Sequence, residues 1–190
     1  MTEEQALLRG ARELDEPALD EIFETYYPPL YRYIYQHVRH RTTAEDLAAE
    51  VFARMLAQLS KGRGPKQHLQ AWLYRVAHNL VIDHTRRQVH RDHDPLDEGI
   101  VSTEHDVEME VHGSILRRQA AAALQRLTPM QRAVIILKYL EGYTNAEVAP
   151  MLELSVGAVK ALQHRGLASM RRYLIGAALN MVLAQRLVRR

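Results

Sequence analysis

The sequence predicts an all-α protein made of two helical domains joined by an acidic, flexible linker. Apolar residues recur at helical spacing along most of the chain, and Ser or Thr caps precede several of these stretches. The charges are also segregated. Residues 61–91 carry seven Lys or Arg against one acid, residues 92–112 carry eight acids and no Lys or Arg, and residues 154–190 carry seven Lys or Arg and no acid. Two basic modules on either side of an acidic segment are therefore expected.

Composition excludes several classes of function. The 190 residues contain no cysteine, which removes disulfides, thiolate metal sites and cysteine nucleophiles together. No apolar run is long enough to span a membrane, and the acidic N-terminus is not typical of a signal peptide. We expect a cytoplasmic protein without membrane association.

A polar N-terminal extension, residues 1–16, precedes the first strong helical pattern. From Pro17 this pattern runs to Val38, and Pro28–Pro29 is expected to break or kink the helix. The tyrosines of this stretch suggest a platform for stacking bases, but their helical spacing places most of them in the core or at its rim. They are Tyr26, Tyr27, Tyr31, Tyr33 and Tyr35.

A second helix is predicted from a capping box of Thr42 and Glu45 to about Leu59. One of its faces carries acidic residues and an arginine at i, i+4 spacing, which by itself indicates a salt-bridged, solvated face. These residues are Asp46, Glu50 and Arg54.

Residues 60–68 (SKGRGPKQH) form a basic loop, because two glycines and a proline cannot continue the helix. A third helix follows through about Arg87, with Trp72 on its apolar side. Trp72 is therefore expected in the core, although an indole also stacks on bases.

Residues 91–112 lack strong periodicity and are predicted to be a tether. A histidine metal site (His90, His93, His105, His112) and a hydrolytic site (His78, Asp83, His84) are the alternatives for the titratable groups of this region. Neither has a nucleophile, a cysteine or a fixed scaffold beside it. No catalytic residue, metal or cofactor is expected.

The second module begins near Gly113 and contains two further capping boxes. Thr128 and Gln131 open a helix that Gly142 stops, and Thr144 and Glu147 open a short helix that ends in a tight turn. Ser155 then caps a longer helix. Two helices separated by so short a turn predict a helix-turn-helix, whose second helix usually enters the DNA major groove.

The longer helix has two distinct faces. Its inward stripe is Val159, Leu162, Gly166, Met170 and Leu174. Its outward stripe combines cations with small residues and has no acid, as contact with phosphates and base edges requires. This stripe is Gly157, Lys160, Ala161, His164, Arg165, Ala168, Arg171 and Arg172. An ordinary solvated basic face is the alternative.

The first module resembles domain 2 of the extracytoplasmic-function sigma factors, the small two-domain members of the sigma-70 family. The resemblance lies in AEDLAAEVFARML followed by AWLYRVAHNLVIDHTRR. The second module resembles their domain 4 through LTPMQRAVIILKYLEGYTNAEVA joined to LSVGAVKALQHR. Together the two stretches cover about residues 17–90 and 113–174, in the order that the family has.

The resemblance implies an initiation subunit that binds RNA polymerase core and promoter DNA and catalyses nothing itself. It implies that the helix of Asp46, Glu50 and Phe52 docks on the coiled coil of the polymerase clamp. The residues implied for the melted −10 element are Lys61, Arg63, Lys66, Arg75, Asn79, Arg86 and Arg87. Those implied for the −35 element are Lys138, Lys160, Ala161, His164 and Arg165. Family members are often held by an anti-sigma partner, although no residue here identifies one.

Three features depart from the family pattern. Pro150 lies inside the first helix of the helix-turn-helix, where proline costs about 3 kcal/mol unless the helix is ending. Glu153 occupies a turn position where the family usually has glycine. Residues 175–190 extend past the family core and are expected to form a helix that packs on the second module, with a partner-docking tail as the alternative. The competing function is a stand-alone helix-turn-helix regulator.

Overall fold

The protein is all-helical wherever the structure describes it. The computed structural model describes residues 3–91 and 113–188, with side chains for residues 4–88 and 117–176. Its helices are α1 (Glu3–Arg12), α2 (Glu16–Val38), α3 (Arg41–Leu59), α4 (Leu69–Arg91), α5 (Gly113–Gln125), α6 (Pro129–Ile135), α7 (Asn145–Met151) and α8 (Val156–Val188). A π-helical turn, Ile136–Leu140, continues α6. No strand occurs in these ranges, and none of their helices is both long enough and apolar enough to cross a bilayer.

The first module is a bundle in which α2 packs against α1, α3 and α4. Asp15 caps α2 by accepting a hydrogen bond from the Ala18 amide at 3.3 Å. Tyr33 is completely buried, and its hydroxyl hydrogen-bonds to Nδ1 of His78 on α4 at 2.9 Å. Tyr26, Tyr27, Tyr31 and Tyr35 pack against the same core as partly buried residues. The prediction that these tyrosines belong to the core and its rim is confirmed.

The predicted break at Pro28–Pro29 is wrong, because α2 continues through both prolines, whereas the alternative of a kink stays a prediction. The two missing amides would have bonded the carbonyls of Glu24 and Thr25, which are exposed and therefore accessible to water. Leu30, immediately after the prolines, is completely buried. Packing on both sides of the prolines holds the helix together against its local tendency to break.

The predicted capping box at Thr42 is also wrong. The cap of α3 is His40, whose side chain accepts a hydrogen bond from the Thr43 amide at 3.3 Å. Glu45 instead accepts a hydrogen bond from Arg41 at 2.9 Å. The helix therefore begins one residue before Thr42, because the His40 imidazole caps the Thr43 amide and the Arg41–Glu45 pair adds a side-chain contact one turn apart.

The second module contains α5 to α8, and its predicted caps are confirmed. Thr128 and Thr144 each form a complete capping box, with Gln131 and Glu147 respectively. Ser155 Oγ accepts a hydrogen bond from the Ala158 amide at 3.1 Å. These caps determine where α6, α7 and α8 begin. They can be predicted from the sequence because each one joins residues only three positions apart.

The turn between α7 and α8 adopts the conformation that glycine usually supplies. Glu153 has a φ of 55°, in the left-handed region where side chains other than glycine are uncommon. Pro150 is one residue from the end of α7, so only its last turn lacks a hydrogen-bond donor. A helix-turn-helix forms despite both departures from the family pattern.

The two modules do not stand apart. Helix α4 of the first module packs against α7 of the second, and one hydrophobic core runs through both. Completely buried residues of this core come from each module, for example Leu73 and Tyr74 with Ile136 and Val148. The sequence predicts two modules but not their contact. The predicted tether, including His93, His105 and His112, lies outside the described residues.

Candidate nucleic-acid interface

The outward face of α8 is open to solvent at every residue predicted to contact DNA. Lys160, Ala161, His164 and Arg165 are all exposed, whereas Val159 on the opposite face is completely buried. The cations therefore project from a helix whose other side is fixed in the core. Such an arrangement suits a helix that inserts its polar side into a groove of DNA.

The position of α8 depends on close packing against α6. A methyl group added to Gly166 would lie 3.1 Å from Cγ1 of Ile135, so glycine allows the two helices to approach. The Gln163 side chain also donates a hydrogen bond to the Tyr139 hydroxyl at 2.8 Å. These contacts fix the angle at which the basic face is presented.

Lys138, the remaining residue predicted for this interface, is half-buried in the π-helical turn. Its charge acts on Glu147 at the start of α7. The pKa of the Glu147 carboxyl lies below its usual value, mainly because Thr144 donates side-chain and backbone hydrogen bonds to it, with a smaller contribution from Lys138. Lys138 thus lies close to the N-terminus of the first helix of the helix-turn-helix.

The basic loop between α3 and α4 is hydrogen-bonded to α1 on one side and exposes its cations to solvent. Its cations Lys61, Arg63 and Lys66 are exposed, and Gly62 has a φ of 66°. Helix α1 holds the far side of the loop. Arg12 donates a hydrogen bond to the Pro65 carbonyl at 3.0 Å. Next to the loop, Glu4 accepts one from the Leu69 amide at 2.7 Å. The sequence does not predict this supporting role of α1.

Helix α4 carries the other residues predicted to contact melted DNA. Arg75, Asn79 and Arg86 share one helical face by their spacing, and Asn79, Arg86 and Arg87 are exposed. Arg75 is different because it is half-buried and bonded to the second module. It lies 3.2 Å from Oε1 of Glu153 and donates a hydrogen bond to the Pro150 carbonyl at 3.2 Å.

The predicted partner-binding face of α3 is only partly exposed. Asp46 and Glu50 are exposed, and Glu50 accepts a hydrogen bond from Arg54 at 2.8 Å. Phe52 is only 6% exposed, because its ring packs on Phe23 of α2 with centroids 4.9 Å apart. Phe23 is 46% exposed, so it carries the accessible apolar surface beside this face. Helical periodicity alone assigns Phe23 to the core and does not reveal this exposure.

The titratable groups of α4 are integrated into the packing. His78 is buried, and its pKa falls to about 4 because burial disfavours the imidazolium. His84 and Asp83 are half-buried. Among the described side chains, no three His, Asp or Glu residues come together in a group that would hold a metal ion. The side chain of His90 lies outside the described set.

Trp72 is partly buried and packs against the core, as its place on the apolar side of α4 predicts. Residues 175–188 continue α8 without interruption. Ile175 is 59% exposed. The predicted packing of the C-terminal extension on the second module concerns side chains beyond residue 176, which lie outside the described set.

Family comparisons match both modules. The sigma-70 region 2 family matches residues 22–91, and the sigma-70 region 4 family matches residues 117–170. The two matches together cover more than half of the chain, in the order of its two helical modules.

Individual relatives agree with this assignment. The chain is 32% identical over 172 residues to the ECF RNA polymerase sigma factor BldN of Streptomyces coelicolor, covering 88% of this chain and 64% of that protein. It is 31% identical over 170 residues to the ECF RNA polymerase sigma factor SigX of Bacillus subtilis, covering 84% of each.

Two solved structures show the same fold. CnrH, in complex with the cytosolic domain of CnrY, matches with a TM-score of 0.69 at 20% identity, over 91% of this chain and 97% of that one. RpoE, in complex with the anti-sigma factor NepR from Bartonella quintana, matches with a TM-score of 0.65 at 20% identity, over 82% of this chain and 95% of that one. From its two family matches and its relatives, the chain belongs to the extracytoplasmic-function sigma factors of the sigma-70 family.

Proposed function

We propose that this chain binds RNA polymerase core, directs it to promoters with a −35 and a −10 element, and catalyses no reaction itself. The observation that carries the proposal is the presence of region 2 and region 4 in one chain, each with an exposed basic surface. A single DNA-binding helix would serve a regulator equally well. A second basic module with a glycine-containing loop suits capture of a melted strand.

The second module, residues 113–174, is proposed to bind the −35 element. Lys160, His164 and Arg165 would face base edges or phosphates in the major groove, with Ala161 allowing close approach. Lys138 would add a backbone contact from the π-helical turn. Support comes from the exposure of these side chains on a helix fixed at its opposite face.

The first module, residues 17–90, is proposed to act on the −10 element. Asn79 would read the hydrogen-bonding edge of an extruded base, and the cations would hold the backbone. These cations are Lys61, Arg63, Lys66, Arg75, Arg86 and Arg87. The exposed and basic loop supports this assignment, because a melted strand needs room as well as charge.

The α3 face is proposed to bind the clamp coiled coil of the polymerase. Asp46 and Glu50 would supply charge, and Phe52 would support Phe23 at the apolar edge. Because the polymerase is the proposed partner, we propose a cytoplasmic location. An anti-sigma factor is a further proposed partner, since a related fold is solved with one.

The direct test is transcription with purified components. The chain is mixed with core RNA polymerase, recovered in a pull-down, and supplied with promoter fragments for run-off transcription. We expect co-purification and a discrete transcript that core alone does not produce. A chain that binds a DNA site tightly without core, and never yields a transcript with it, would instead be a stand-alone regulator.

A further inference from the structure

The second module packs against α2 and α4 of the first module. The contact has an apolar centre and hydrogen bonds around its edge. Gln70 donates a hydrogen bond to the Tyr143 hydroxyl at 2.9 Å, and Tyr143 donates one to Tyr74 at 3.3 Å. Further bridging contacts join Gln125 to the Gln36 carbonyl at 3.0 Å, Arg132 to the His37 carbonyl at 3.4 Å, and His78 Nε2 to Met130 Sδ at 3.2 Å. The second module therefore meets both α2 and α4.

Arg75 of the first module lies at the edge of this contact, where its side chain bonds to two residues of the second module. Its guanidinium bonds the Pro150 carbonyl and pairs with Glu153, and its Nε is buried without a hydrogen-bond partner. An arginine with a buried, unsatisfied N–H has more to gain from a phosphate than one that is fully paired. The second module thus occupies a cation that the proposed function assigns to nucleic acid.

Glu153 is an unexpected residue for its backbone position. A φ of 55° is uncommon for a glutamate, and glycine would adopt it without a steric cost. Its side chain, however, lies 3.2 Å from Arg75 of the other module. The contact between modules gives this glutamate a function that a glycine could not supply.

A second ion pair also joins the two modules. Arg32 of α2 donates a hydrogen bond to Glu141 at 3.0 Å, and the Glu141 side chain is only 5% exposed. The rings of Tyr74 and Tyr143 meet edge to face across the same contact between modules, with centroids 5.4 Å apart. Two acids of the second module thus form ion pairs with two arginines of the first.

This closed arrangement is incompatible with reading two promoter elements together. Elements centred 25 base pairs apart are separated by about 85 Å at 3.4 Å per base pair. Modules whose side chains share one core cannot lie at two such sites at once. The modules must separate before both sites are bound.

We propose that the chain rests in a closed form, in which Glu153 and Glu141 latch the second module onto the first and withhold Arg75 from nucleic acid until the modules open. This inference rests on the proposed function. Partly exposed ion pairs contribute little individually, and contacts between domains of one chain resemble transient interfaces. The latch is therefore releasable, as a resting state must be.

The first experiment measures opening in the full chain without polymerase. Donor and acceptor dyes are attached at Ala57→Cys and Ala122→Cys, both exposed positions in a chain without cysteine. We expect Glu153→Gln to raise the open fraction two- to five-fold, in line with the loss of a partly exposed ion pair. The matched control is Glu13→Gln, which removes an acid from an exposed pair on α1 and should change nothing.

A double-mutant cycle separates the latch from a general charge effect. Arg75→Gln and Glu153→Gln should each open the chain, and the double variant should open no further than Arg75→Gln alone, because Arg75→Gln already removes the pair with Glu153 together with the Pro150 contact. Additive opening, or no opening by Glu153→Gln, would overturn the proposal. Binding of a fluorescein-labelled single-stranded DNA of mixed sequence should strengthen two- to five-fold in Glu153→Gln, and this gain should disappear when Arg75→Gln is also present.

The second experiment locks the closed form. Gln36→Cys and Gln125→Cys are joined by a short reducible thiol cross-linker across the contact between modules. With core polymerase, the locked chain should lose run-off transcription and the reduced chain should regain it. A locked chain that transcribes as well as the reduced one overturns the latch. A chain that opens with Glu153→Gln but never transcribes, locked or reduced, supports the latch and overturns the proposed function.

Discussion

Arg165 illustrates how one exposed cation distinguishes base readout from phosphate anchoring. It is exposed on the basic face of α8, whereas Val159 on another side of the helix is completely buried. If Arg165 reads a base, Arg165→Ala should weaken promoter binding by about 1–3 kcal/mol and relax preference at one base pair. The affinity of the holoenzyme, with and without the substitution, is measured on promoters that each carry one base change in the −35 element.

Arg172→Ala is the matched control for Arg165. Arg172 is exposed on the same helix, farther toward its C-terminus, and hydrogen-bonds to Ser169 Oγ at 3.2 Å. We expect its loss to weaken all sequences alike. If Arg165→Ala does the same, Arg165 anchors a phosphate and the proposed base contact is wrong.

Two buried histidines make the stability of the closed chain dependent on pH. Burial, with repulsion from Arg132 and His78, lowers the pKa of His37 to about 3, and burial lowers that of His78 to about 4. Both folded-state values lie below the ordinary 6.5, so the unfolded chain binds more protons as the pH falls. The contribution of the two neutral histidines is therefore complete above about pH 6.5 and is lost progressively between about pH 6.5 and 3.

Between pH 7 and 5.5 each of these histidines should cost the chain about 1 kcal/mol of unfolding free energy. Urea unfolding at both pH values measures the loss. His37→Gln should reduce the dependence on pH, whatever it does to stability at pH 7. An unchanged slope in His37→Gln would show that His37 is not the group that titrates.

At the scale of single elements, α3 offers a test of polymerase binding. Reversing Asp46 and Glu50 to lysine should weaken core binding, because both acids are exposed beside the apolar edge at Phe23. The free energy of unfolding should change by no more than about 0.5 kcal/mol, since only the exposed Glu50–Arg54 pair is lost. Pull-down with core measures the first quantity and urea unfolding the second.

The control for α3 reverses Glu13 and Glu16, two exposed acids just before and at the start of α2, about two helical turns or more before Phe23. This variant has the same change in net charge and should bind core normally. Equal weakening by both double variants would point to general electrostatics, and undiminished binding after reversal of Asp46 and Glu50 would remove α3 from the interface.

The ends of the helices show which local features can be predicted from the sequence. The boxes at Thr128 and Thr144 and the cap at Ser155 form as expected, because each depends on residues only three positions apart. The expected break at Pro28–Pro29 and the expected cap at Thr42 fail for different reasons. Packing overrides the local tendency of the prolines, and an imidazole replaces the expected threonine as a cap.

At the scale of the whole molecule, periodicity and charge predict two helical modules but not their mutual contact. The pairs Arg75–Glu153 and Arg32–Glu141 join residues far apart in sequence, and no periodic pattern connects them. The one available signal is Glu153, where a left-handed turn carries an acid in place of glycine. The sequence therefore predicts which helix faces are exposed, but the pairing of Arg75 with the second module is seen only in the structure.

The architecture as a whole is tested by the spacing between the promoter elements. In the proposed open form each module would bind one element, and the polymerase would set the effective concentration of the second contact. Inserting about five base pairs, half a turn of a 10–10.5 bp helix, rotates one element to the opposite side of the duplex. We expect run-off transcription to collapse, because the polymerase would hold both modules at a fixed spacing.

A full-turn insertion is the matched control, since it restores the angular phase and changes only the distance. It should remain impaired if the polymerase fixes the span, and should recover if angular phase alone matters. Without core, the chain should bind either promoter weakly, because the closed form withholds Arg75 and each grip is modest. A chain that bound its site tightly without core and ignored the five-base-pair insertion would use α8 alone. The stand-alone regulator would then replace the two-site initiation factor.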